Sequence, residues 1–194
     1  MTRLDALRAV YPRLEFAAVV TIMGAVAAEL QAIGHRPNFF YLQHAMGLAS
    51  SLGLGIALAQ PERQVIVFDG DGSLLMNLGG LTTLARYRPP NLLHVVFDNE
   101  SLLSVGGFPT ATSTGSDLAA MATAAGVPRA ATVGTLDAFT TAVDEALASR
   151  TLTTLVAKVD AVGPSRFVTD LSLLENRFQF QRYLTRGVDP QPAR

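Results

Sequence analysis

The chain has 194 residues, of which 49% are hydrophobic and 16% charged, and its formal net charge is −1. This suits one α/β domain with a substantial core, and the charge gives no electrostatic case for nucleic acid or an anionic membrane as partner. Cysteine is absent, which excludes disulfides, thiolate metal sites, a cysteine nucleophile and the usual ligands of an iron–sulfur cluster.

The N-terminus, MTRLDALRAVYPRLEF, scatters charges where a signal peptide would be apolar. A first buried strand is expected over the apolar run 16–20, with Thr21 as the N-cap of a helix over 23–33 and Gly34 closing it. A loop with Pro37 and Asn38 follows. The stretch 45–59, AMGLASSLGLGIALA, is too short to span a bilayer, and a soluble, cytoplasmic protein is expected. Its small residues make sense in a helix that packs closely against another backbone or a ligand.

Residues 64–68 read as a strand buried on both faces and end in Asp69-Gly70-Asp71-Gly72-Ser73. A helix over 75–87 stops at Pro89-Pro90, and a second apolar strand over 92–97 ends in Asp98-Asn99. A glycine-containing loop spans 100–115. Ser116-Asp117 then opens a helix to 125, before a strand at 130–133, a helix at 135–148 and a last strand at 153–159. This alternation predicts a three-layer α/β/α fold with a mainly parallel central sheet. Over 170–184, Leu171, Leu174, Phe178 and Tyr183 recur at helical spacing, in a helix expected to pack on its own domain or to dock a partner. The expected division is a domain over 1–165, this helix within 166–186, and a disordered tail over 187–194.

Parallel α/β sheets bind ligands at the carboxyl ends of their strands. Two strands here end in metal-capable residues, Asp69 and Asp71 after one, Asp98 and Asn99 after the next. The spacing between Asp71 and Asn99 is about one β-helix-β unit, so the tips converge if the strands are neighbours. A carboxylate with an amide oxygen suits Mg²⁺ or Ca²⁺. Gly70 and Gly72 let the backbone approach an anion, and Ser73 opens a helix whose N-terminus favours negative charge. His35, His44 and His94 show no ligand spacing. The GxGxxG fingerprint fails for want of its third glycine, and no P-loop occurs.

The segment GDGSLLMNLGGLTTLARYRPPNLLHVVFDN resembles the GDG…N motif of thiamine-diphosphate enzymes. With its flanks AMGLASSLGLGIALA and GGFPTAT it is similar to the β subunits of sulfopyruvate decarboxylase and to phosphonopyruvate decarboxylase-like proteins, over roughly residues 20–160. The resemblance implies thiamine diphosphate and Mg²⁺ as cofactors, with Asp71 and Asn99 as side-chain metal ligands and the Ser101 carbonyl as a third. It implies that Gly70, Gly72 and Ser73 touch the diphosphate, and that Met46 wedges between the two rings of the cofactor. His44 and Asn77 are as readily structural, and Asp98 stands where relatives often carry asparagine.

The resemblance further implies 2-oxo acid decarboxylation, with the activating glutamate supplied by a separate pyrimidine-binding subunit, because only one α/β domain is legible here. A carboligase or other transferase subunit, and a non-catalytic cofactor-binding regulatory subunit, stay open. The loop 100–114 has no Lys or Arg, and Phe108 stands where relatives carry a polar residue. A 2-oxo acid less charged than sulfopyruvate or phosphonopyruvate is therefore expected.

Overall fold

The computed structural model describes residues 1–164 and 171–186. Helix α1 (Arg3–Val10) opens the chain, capped by the Thr2 hydroxyl, which accepts from the Asp5 amide. A 3-10 turn then leads into strand β1 (Ala18–Thr21). Helix α2 (Ala25–Ile33), strand β2 (Phe39–Tyr41), helix α3 (Ala49–Ala59) and strand β3 (Val65–Gly70) follow. Two short helices, α4 (Asp71–Leu75) and α5 (Gly79–Tyr87), lead to strand β4 (Leu92–Asp98). A small antiparallel hairpin pairs β5 (Ser101–Leu102) with β6 (Phe108–Pro109). Helix α6 (Leu118–Ala124), strand β7 (Arg129–Val133), helix α7 (Leu136–Ser149), strand β8 (Thr153–Lys158) and helix α8 (Leu173–Thr185) complete the described chain.

The six-stranded sheet runs β2-β1-β3-β4-β8-β7, and every pair in it is parallel. Its central strands β3 and β4 are buried almost throughout, as strands covered on both faces must be. Helix α3 packs on one face together with α5, and α1 packs with α2 and α7 on the other. The three expected layers are present.

The small residues of α3 have a definite use. A Cβ added at Gly53 would lie 2.2 Å from Val67 Cγ2, so the helix sits too close to β3 for any side chain there.

Several boundaries differ from expectation. β1 starts two residues late, and Thr21 is its last residue, in register with Phe68 and Tyr41, instead of a helix cap. The N-cap of α2 is Gly24 at φ 83, while Gly34 closes the helix as expected. The helix expected over 75–87 is two helices, the first beginning at Asp71 itself. The three-residue β2 and the charged α1 carry too little periodicity to be foreseen, although α1 buries Ala6, Leu7 and Val10.

α8 packs against β2, but only part of the expected apolar set takes part. Asn176 and Phe180 are buried, whereas Leu174 and Phe178 are 65% and 50% exposed. Leu171 and Tyr183 are half-buried against the core. The Asn176 side chain pairs the open edge of β2, accepting from the Tyr41 amide at 3.0 Å and donating to the Phe39 carbonyl at 2.7 Å. The expected domain boundary and the tail over 187–194 fall outside the described residues.

Candidate active site at the tips of two central strands

Because Gly70 of β3 pairs with Phe97 of β4, the ends of these strands lie side by side. Met46, Gly70, Asp71, Gly72, Ser73, Asn99 and Ser101, the residues that the resemblance assigns to the metal and cofactor, line one cleft there of about 120 Å³. The turn carrying Met46 is locked onto α4. Gly47, at φ 85, donates its amide to Ser73 Oγ at 2.9 Å and accepts from Asn77 Nδ2 at 2.9 Å. Asn77 thus has a structural role. His44, exposed and at φ 54, is not among the residues lining the cleft.

Asp71 is buried and accepts from the Thr110 hydroxyl at 2.6 Å through Oδ2. Burial pushes its carboxyl above the ordinary value; the Thr110 hydrogen bond opposes this and the nearby Asp98 charge adds to it. Asn99 Oδ1 accepts from the Ser101 amide at 3.2 Å, a local turn that turns the chain back beside the metal-capable pair. Asp98 is buried and accepts from the Glu100 amide, the Thr112 hydroxyl and Lys158 Nζ at 3.1, 2.8 and 2.9 Å. Asp69 lies deeper, with His94 Nε2 3.3 Å from its Oδ2 and the Gly70 amide donating to its Oδ1. That carboxylate belongs to the interior of the sheet and is not among those lining the cleft.

The donor set suits a hard cation and a phosphate. Asp71, Asn99 and the Ser101 carbonyl offer oxygen ligands only, the chemistry Mg²⁺ prefers. A Cβ at Gly70 would meet nothing within 4 Å, so bare backbone faces open space beside Asp71. At Gly72 an added Cβ would come within 2.1 Å of Leu102 Cδ2. Glycine at both positions keeps the strand tip open for close approach.

Sequence reasoning missed Thr110, Thr112, Lys158 and Arg3. Arg3 lines the cleft and is paired with Glu29 of α2 through two hydrogen bonds of 2.8 and 2.9 Å. The two threonines stood in the quoted GGFPTAT segment, but nothing in it marks them as partners of a carboxylate far upstream. The arginine and lysine come from remote parts of the chain that only the fold brings near.

Parallel topology with an oxygen-lined cleft at the strand tips is an arrangement suited to a cofactor-binding domain, and the comparisons give its class as that of thiamine-diphosphate enzymes. The chain matches the family described as "Thiamine pyrophosphate enzyme, C-terminal TPP binding domain" over residues 20–157, and it belongs to that family. It is 44% identical over 149 residues to a phosphonopyruvate decarboxylase of Streptomyces hygroscopicus, covering 76% of this chain and 37% of that one. It is 45% identical over 106 residues to the sulfopyruvate decarboxylase subunit beta of Methanothermobacter thermautotrophicus, covering 55% of this chain and 57% of the relative. The chain thus spans between about a third and somewhat over half of these relatives. The fold is shared with a benzoylformate decarboxylase from Polynucleobacter necessarius, at a TM-score of 0.70 and 22% identity, over 84% of this chain and 34% of that one. No helix among the described residues is long and apolar enough to cross a membrane.

Proposed function

We propose that this chain is the thiamine-diphosphate- and Mg²⁺-binding subunit of a cytoplasmic 2-oxo acid decarboxylase, active together with a separate pyrimidine-binding subunit. The observation that carries the reading is the convergence of every residue of the GDG…N pattern, with Met46, on one strand-tip cleft. In this reading Asp71, Asn99 and the Ser101 carbonyl hold Mg²⁺. Gly70, Gly72, Ser73 and Asn99 receive the diphosphate, and Met46 supports the bend between the cofactor rings. When bound, the cofactor supplies the electron sink for loss of CO₂ from a 2-oxo acid.

A second chain fits this account. The cleft, at about 120 Å³, is below the roughly 300–1,000 Å³ of a complete small-molecule pocket. The relatives include one named as a subunit beta. The partner contributes the activating glutamate. The cations near the site are already neutralised, Arg3 by Glu29 and Lys158 by Asp98 and Glu100. That supports a substrate less charged than those in the relatives' names, and rapid sulfopyruvate turnover by the complete complex would overturn this part.

The first test is thermal melting with thiamine diphosphate and Mg²⁺, for the wild type and Asp71→Ala. Ligand at about 100 times Kd adds roughly 2.7 kcal/mol, a shift of about 5–10 °C for a chain of this size. The shift is expected to need the metal and to vanish in Asp71→Ala. No shift either alone or with the co-expressed partner would end the thiamine-diphosphate reading for this cleft.

A further inference from the structure

We propose that Thr110, held in place by Thr112, makes Asp71 a one-oxygen ligand and thereby tunes the site toward Mg²⁺ and against Ca²⁺; this rests on the reading that Asp71 binds the metal. Both hydroxyls lie beside the same carboxylate oxygen, and Thr110 is the one that donates to it. Thr110 Oγ1 donates to Asp71 Oδ2 at 2.6 Å, and Thr112 Oγ1 lies 3.4 Å from that oxygen. Among the described residues no side chain donates to Asp71 Oδ1. The two hydroxyls also contact each other at 2.8 Å. Both threonines are nearly inaccessible, at 6% and 5% exposure. Asp71 Oδ2 is therefore covered by side chains that carry methyl groups as well as hydroxyls.

The covering pair is itself held. The Thr110 amide donates to the Glu100 carbonyl at 3.1 Å, and the Thr110 carbonyl accepts from the Ser113 amide at 3.1 Å. Thr112 sits in a 3-10 turn and donates to Asp98 Oδ1 at 2.8 Å, while Lys158 binds the other oxygen of Asp98 at 2.9 Å. A continuous chain of contacts thus runs from Lys158 through Asp98, Thr112 and Thr110 to Asp71. Outer partners of this kind orient a ligating carboxylate.

The two candidate cations make different demands. Mg²⁺ takes six ligands in near-octahedral geometry, one oxygen from each carboxylate, and keeps several waters. Ca²⁺ takes six to eight ligands and often uses both oxygens of a carboxylate. With one lone pair of Oδ2 taken by Thr110, Asp71 would offer a cation chiefly Oδ1, which suits the smaller ion better than the larger one. Removing the Thr110 hydroxyl frees Oδ2 for a second bond to the metal.

The test is the ratio of Mg²⁺ to Ca²⁺ affinity, read by calorimetric titration of each metal at saturating thiamine diphosphate. It uses the full chain with its partner, for wild type, Thr110→Val, Thr110→Ser and Asp71→Asn. Thr110→Val is expected to weaken Mg²⁺ about tenfold and Ca²⁺ less, so the ratio falls, and Thr110→Ser is expected to restore it. A purely structural role would lower stability without moving the ratio. If Thr110→Val fails to fold, Thr110→Ala is measured in its place with the same expectation. An unchanged ratio, with Asp71→Asn abolishing metal binding, overturns the proposal and leaves Asp71 as ligand. Metal binding that survives Asp71→Asn, or is absent from the wild type, overturns both.

Discussion

Asp98 shows how much a single buried carboxylate organises here. It holds the amide of Glu100, itself at φ 58, and so shapes the turn that presents Asn99 and Ser101. Its negative charge is balanced by Lys158, which also pairs with Glu100 at 2.6 Å. Burial alone would lower the Lys158 value; the hydrogen bonds and charges of Glu100 and Asp98 outweigh it and raise the group above the ordinary 10.5. A lysine raised on folding contributes stability that is fully present below 10.5 and is lost as pH climbs through the folded value. The melting temperature of Lys158→Met should therefore fall furthest below wild type near neutral pH, and the gap should close in strong alkali. A gap that stays constant across that range would mean the pair contributes nothing to stability through its charge.

Among the elements, α3 offers a sharp contrast between two of its glycines. The Cβ of an alanine at position 53 would come within 2.2 Å of Val67 Cγ2, whereas at position 55 it would meet nothing within 4 Å. Gly53→Ala should therefore cost about 1–3 kcal/mol by overpacking the contact with β3. Gly55→Ala should stabilise the helix by about 0.5–1 kcal/mol. Urea unfolding of both variants checks this, and a shared sign would show that helix propensity, rather than closeness to the sheet, governs the segment. That composition was readable in the sequence because a run of small residues has few other uses inside a helix. The parallel sheet was readable for a similar reason, since strands such as 64–68 have no polar face to offer solvent. The facing of α8 was not readable. Its apolar residues Leu174 and Phe178 suggest one side, but the edge of β2 needed hydrogen-bond partners, and Asn176 supplies them from another. Asn176→Ala should cost about 2 kcal/mol by leaving two backbone groups unpaired. It should also raise hydrogen exchange at the Tyr41 amide, while Leu174→Ala stays within about 0.5 kcal/mol of wild type.

Taken as a whole, the molecule is closed by parts that lie outside the family-matched span of 20–157. α8 covers one sheet edge, and α1 joins the layer formed by α2 and α7. The candidate site was legible because Asp71, Gly72 and Asn99 are brought together by a single local β-helix-β unit; the groups around it were not, since Thr110 and Thr112 carry no mark of their partners and Arg3 and Lys158 arrive from remote parts of the chain. Arg3 is the plainest example. Its Nε and Nη2 meet the two oxygens of Glu29 at 2.8 and 2.9 Å, and Nη2 also donates to the Val162 carbonyl at 3.1 Å. One side chain thereby ties the first helix to the second and to the segment after the last strand of the sheet. At 5% and 7% exposure, both charges have given up their water, so the attraction between them largely offsets desolvation and adds little net stability. The consequence is an asymmetry between single and double variants. Arg3→Met should cost about 3–5 kcal/mol by stranding the Glu29 carboxylate, while Arg3→Met with Glu29→Met should come back close to wild type. Urea unfolding of the three proteins measures it. A double variant as weak as the single one would mean that the pair holds α1 in place by more than charge balance, with the bond to Val162 as the remaining link.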